Sequence, residues 1–133
     1  MFDPVINALP AFVGFFAMAV ALLGGFLAIY VFVTPYNEVA LIRGGNTAAA
    51  VSLAGVIVGF AMPIAVSVAV SHSFIAMLAW GVVAGCVQLL TYMAARLALP
   101  EINHSIPQGK LAAGIFLASL SLGTGILNAG CII

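Results

Sequence analysis

The stretch GNTAAAVSLAGVIVG, residues 45–59, decides how the rest of this chain is read. It follows the charged loop of the first half, opens with Asn46 and Thr47 as a helix cap, and continues as an apolar run. Within it Ala48, Ser52, Gly55 and Gly59 recur three or four positions apart, on one face of a helix. Small faces of this kind let helix backbones approach closely where lipid supplies no hydrophobic drive between helices. A degraded copy begins after Lys110. Sliding the chain by 64 positions lays Ala48 on Ala112, Ser52 on Phe116, Gly55 on Ser119 and Gly59 on Gly123. The pattern predicts a duplicated two-helix unit whose small faces meet.

Working outward, the segments 11–33, 47–70, 74–95 and 111–133 are each long and apolar enough to cross a hydrocarbon core of about 30 Å. The composition agrees: 65% of residues are hydrophobic, 5% are charged and the mean hydropathy is +1.34. A soluble domain carries roughly 25% charged residues, so lipid must be the solvent here. The expected fold is all-α integral membrane, four transmembrane helices as two tandem two-helix repeats. It forms a single membrane domain, 1–133, with halves of about 1–70 and 71–133. Spans two and four are expected at the centre, with spans one and three outside. Gly81 and Gly85 add a third small pair on span three.

The connections are short. Asp3 and Pro4 read as the start of an N-terminal turn interrupted at Pro10. No positive n-region precedes the first apolar run, so the N-terminus is expected to be retained. Thr34 reads as the cap of a short interfacial helix over 35–42, with Glu38 and Arg43 kept in water as an exposed pair. Gly44 and Gly45 break that helix. The Ser71-His72-Ser73 turn makes spans two and three antiparallel neighbours. Arg43, Arg96 and Lys110, all the basic residues there are, lie in or beside the loops joining spans one to two and three to four. The positive-inside rule puts both loops in the cytoplasm and both termini outside it.

Four short signatures, TPYNE at 34–38, GNTAAA at 45–50, LAAG at 111–114 and NAGC at 128–131, occur in a fixed order. With them the chain resembles, over nearly its whole length, the YjfL-type family of bacterial inner-membrane proteins, a domain of unknown function numbered 350. Lys110-Leu111 stands where other members tend to have Asn before the second Ala-Ala. The resemblance implies four spans in a bacterial plasma membrane and carries no catalytic residues.

Little chemistry is on offer. No Asp, Glu, Lys, Arg or His falls within the first three spans, and none follows Lys110 in the fourth, which argues against a proton relay or voltage sensor. Gln88, Thr91, Ser121, Thr124 and Asn128 are the candidates for a polar pathway or for interhelical hydrogen bonds. Cys86 and Cys131 fall at different depths and read as small apolar side chains. His72 and His104 fall on opposite sides of the membrane. Neither a metal nor another cofactor is expected, and no nucleophile with its base suggests an enzyme. Three basic residues give no face for nucleic acid. The reading is a homo-oligomeric scaffold or accessory subunit of the lipid bilayer, meeting a cytoplasmic or membrane protein partner through its loops. The alternative is a small oligomeric channel or transporter. Topology is checked by cysteine labelling in a background lacking Cys86 and Cys131. Ser73→Cys is expected to react with an impermeant reagent from outside, and Gly45→Cys only after permeabilisation; the opposite pattern reverses the topology.

Overall fold

A computed structural model describes residues 3–133. It holds α1 (Asp3–Val33), α2 (Glu38–Arg43), α3 (Thr47–Ser71), α4 (Phe74–Ala98), α5 (Ile102–Ser105) and α6 (Leu111–Ile132). The described residues contain no strand, and the four long helices are each apolar enough to span a membrane. Each half therefore has the same order of long helix, short helix, long helix.

α3 and α6 form the most extensive pair, and they run parallel. Ala48 faces Gly114, Gly55 faces Ala118, and Gly59 faces both Ser121 and Gly125. A Cβ on Gly125 would lie 2.2 Å from the Gly59 carbonyl oxygen, and one on Gly59 would lie 2.3 Å from the Ser121 carbonyl oxygen. The backbones are thus in contact with no side chain between them. Residue 63 is a proline inside α3, so the Gly59 carbonyl lacks its usual i+4 amide donor, and Gly125 packs against that oxygen.

The structure departs from the sequence expectation at the α6 stripe, the third span and the start of α1. The stripe Ala112, Ser119 and Gly123 does not face α3. Ala112 and Ser119 are exposed, and a Cβ on Gly123 would meet nothing within 4 Å. α6 instead turns Gly114, Ala118, Ser121 and Gly125 toward α3. This stripe is offset by two residues from the expected one, or about 200° around a helix of 3.6 residues per turn. The contact is therefore not made by equivalent faces. The third span is also not peripheral. α4 packs on both α3 and α6 and buries Met77, Gly81, Ala84, Gln88, Thr91 and Ala95 among others. Gly81 admits Leu22 of α1 and Ile64 of α3, while Gly85 lies against Phe26 and Phe60. These two rings stack with centroids 4.3 Å apart.

α1 lies outside this three-helix core and buries Phe26 and Tyr30. It runs unbroken through Pro10, rather than beginning after a separate turn. Proline removes one amide donor and strains one turn, a loss that a long apolar helix absorbs. From Gly14 and Phe15, which meet Phe74, α1 stays beside the bundle. Residues 3–13 are exposed throughout. Two-residue connection 72–73 joins α3 to α4: His72 adopts a left-handed conformation (φ 49°), and the Ser73 hydroxyl caps α4 by accepting from Ala76 N.

The α3–α6 contact predicts a position-specific response. Gly59→Ala and Gly125→Ala should each cost about 1–3 kcal/mol by overpacking, whereas Gly123→Ala should be neutral or slightly stabilising. Thermal melting of the three variants in one detergent checks the contrast.

Candidate functional site

Polar side chains gather in two places. The first is a seam between α4 and α6. Gln88 is buried, and its Nε2 donates to the Ser121 carbonyl at 3.0 Å. One turn on, the Thr91 and Thr124 hydroxyls lie 3.0 Å apart. Each also reaches its own helix backbone, Thr91 at the Val87 carbonyl (2.7 Å) and Thr124 at that of Leu120 (2.9 Å). Gln88, Thr91 and Thr124 thus join α4 to α6 through their side chains, with Ser121 contributing its carbonyl. Asn128 lies one turn beyond, half-buried, and its Nδ2 has no partner among the described residues. Gln88 Oε1 and Ser121 Oγ are also buried and unpartnered.

The second cluster lies under the loops, and sequence reasoning missed it. Two turns of the same design end α2 and the α5 region. Gly45 N donates to the Ile42 carbonyl and Asn46 N to that of Leu41; Gly109 N donates to Ile106 and Lys110 N to Ser105. Both glycines are left-handed, with φ of 87° and 79°, a region that L side chains avoid. This is the Schellman hydrogen-bond pattern, used twice at positions 64 apart. It delivers Asn46 and Lys110 into α3 and α6 with nearly the same backbone, φ/ψ of −77°/103° and −73°/102°.

Asn46 is the expected cap. Its Oδ1 accepts from Ala49 N at 3.0 Å, and Thr47 opens the helix behind it. Its Nδ2 does more than capping requires, donating to the Ile106 carbonyl (2.8 Å) and the Pro107 carbonyl (3.3 Å). One side chain therefore fastens α3 to the loop of the other half. Ile102 and Ile106 fill the space below, fully buried, and the Tyr92 hydroxyl bonds to Asn103 Oδ1. Lys110 offers α6 no side-chain cap.

The first loop departs from expectation in two ways. Thr34 does not cap the short helix. Asn37 does, accepting from Ala40 N at 3.2 Å, so α2 begins at Glu38 rather than at 35. Glu38 is not in water with Arg43 either; it is 1% exposed, while Arg43 is exposed. The Thr34 hydroxyl, itself buried, hydrogen-bonds to Glu38 Oε1, and Glu38 Oε2 has no partner among the described residues. Burial raises the Glu38 carboxyl above its ordinary value, overcoming the opposite pull of the Thr34 and backbone hydrogen bonds. Burial likewise pushes up the neighbouring Tyr36 phenol. Tyr30 stands one turn below Thr34 with its hydroxyl buried and unpartnered, and its ring meets Tyr92 edge-on at 5.9 Å. The signal for a buried glutamate was present as four-residue spacing, with Tyr30, Thr34 and Glu38 in line. The break at Pro35 made that spacing look accidental.

Among the described residues no group of three or more His, Cys, Asp or Glu could hold a metal. Cys86 and Cys131 are free and exposed on the apolar surface.

The model of a Domain of Unknown Function (DUF350) matches residues 4–132. The UPF0719 inner membrane protein YjfL of Escherichia coli K12 is 35% identical over 127 residues, 96% of each chain. The UPF0719 transmembrane protein YshE of Bacillus subtilis is 28% identical over 125 residues, 92% of this chain and 93% of that one. No solved structure matches.

The two capping sites predict opposite outcomes. Asn46→Ala should lower stability by about 1–2 kcal/mol, and Lys110→Asn should raise it by about 1 kcal/mol by supplying the absent cap. Denaturation in a fixed detergent measures both.

Proposed function

This chain belongs to the DUF350 family, and on that premise we propose that it is a non-enzymatic, homo-oligomeric scaffold or accessory subunit. It is a multi-pass inner-membrane protein; the proposal concerns what it does there. The observation that carries the proposal is the outward face of α6. Ala112 and Ser119 are exposed, and a Cβ on half-buried Gly123 would meet nothing within 4 Å, with half-buried Phe116 the one large side chain on the same face. In lipid, such a face allows close contact with a helix of another copy. The halves are read as a duplication, supported by the repeated element order and by Gly45 and Gly109 in matching turns. The two loops are read as the cytoplasmic docking side, on the placement of Arg43, Arg96 and Lys110.

A channel or transporter is the weaker reading. It needs Gln88, Thr91, Ser121 and Thr124 to face a shared pathway, whereas Gln88, Thr91 and Thr124 bond across α4 and α6 within one bundle.

Gly123→Leu is expected to shift the detergent-solubilised protein to a smaller assembly, measured by light scattering, while leaving its melting temperature near the parent's. An assembly unchanged by that variant overturns the interface. Liposomes holding the parent protein are expected to stay tight to ions and small solutes. Reproducible flux that is lost in Gln88→Leu would overturn the scaffold in favour of the channel.

A further inference from the structure

We propose that Glu38 is a proton-binding site, occupied at neutral pH, whose proton latches α2 onto the bundle. This proposal stands independently of the scaffold reading.

Thr34 Oγ1 lies within hydrogen-bond distance of three oxygens: the Val31 and Tyr36 carbonyls, each at 3.2 Å, and Glu38 Oε1. A hydroxyl has one proton to give. With Glu38 ionised, that single proton would face three acceptors, one of them charged, and the second carboxylate oxygen would be buried with no donor. A proton on Oε1 resolves the conflict. Glu38 then donates to Thr34, and Thr34 donates onward to one of the carbonyls.

Two hydrogen bonds, from Thr34 and from the Glu38 backbone, favour the anion; burial outweighs them, and the other surrounding groups add no such support. α1 presents Tyr30, whose hydroxyl is unpartnered, and the connection presents Tyr36. α4 presents Tyr92 and, beside it, Arg96, which is exposed. α3, against which α2 packs, has no titratable side chain, and His104 of α5 is exposed. Release of the proton leaves a charge in this enclosure, and the route to solvating it is for α2 to swing outward and part from Thr34.

The sign follows from linkage. The folded state binds this proton more tightly than the unfolded chain does, so its stabilisation is complete at low pH. It is lost as pH rises through the folded-state value.

Infrared titration of the reconstituted full chain tests the site directly, because Asp3 and Glu101, both exposed, are the other two side-chain carboxyls. A protonated-carboxyl band is expected at neutral pH, disappearing at alkaline pH and absent from Glu38→Gln. The parent's melting temperature should fall as pH rises from the ordinary carboxylate range toward the point where the band disappears and level off beyond it, while Glu38→Gln, which resembles the protonated form, should not follow it. Thr34→Val should shift the band without abolishing it, a readout that survives if Glu38→Gln fails to fold. A band that titrates at about pH 4, the ordinary carboxylate range, overturns the proposal. So does an ionised Glu38 stabilised by sodium or potassium, which would make the site one for a metal cation.

Discussion

Two stretches of backbone meet with no side chain between them at Gly59 of α3 and Gly125 of α6. Lipid solvates leucine as well as another helix does, so the bundle cannot rely on the force that gathers a soluble core. It depends on dispersion and on backbone dipoles brought within reach by the absence of side chains. Pro63 contributes by withholding an amide from the Gly59 carbonyl, which leaves that oxygen available to a neighbouring helix. Gln88 arrives at the same place, and its amide reaches the Ser121 carbonyl. A proline, two glycines and a glutamine thus act as one joint between three helices.

The loop side is built on a different principle. Paired left-handed turns at Gly45 and Gly109 aim the two central helices, and Asn46 binds the turn of one half to the carbonyls of the other. The loops are consequently one body.

The number of spans, the start of the second span and the Asn46 cap were legible in the sequence, because apolar length and cap chemistry are local properties, whereas the start of α1 and the short α5 were not. The face of α6 was not. Period alone identifies a small stripe, yet α6 carries two, Ala112–Ser119–Gly123 and Gly114–Ala118–Ser121–Gly125, and only the partner helix distinguishes them. Glu38 was misplaced for a related reason. A charged residue in a loop beside an arginine reads as solvated, and its burial depends on groups distant in sequence, Tyr92 of α4 among its neighbours. The polar seam was recognised as a set of residues, while the pairing of Thr91 with Thr124 needed the relative rotation of two helices.

α1 has 31 residues and so measures about 46 Å at 1.5 Å per residue, against a hydrocarbon core of about 30 Å. Its first eleven residues, with Val5, Ile6, Leu9 and Phe12 among them, extend beyond the point where the helix meets Phe74. Hydrophobic mismatch of this size is relieved by tilting the helix or by thickening the bilayer around it. Leu22, Phe26 and Tyr30 hold α1 to the core, so the excess length falls on its exposed first eleven residues. The protein is therefore matched asymmetrically to its membrane, with a rigid post of ordinary length and an outrigger that is too long.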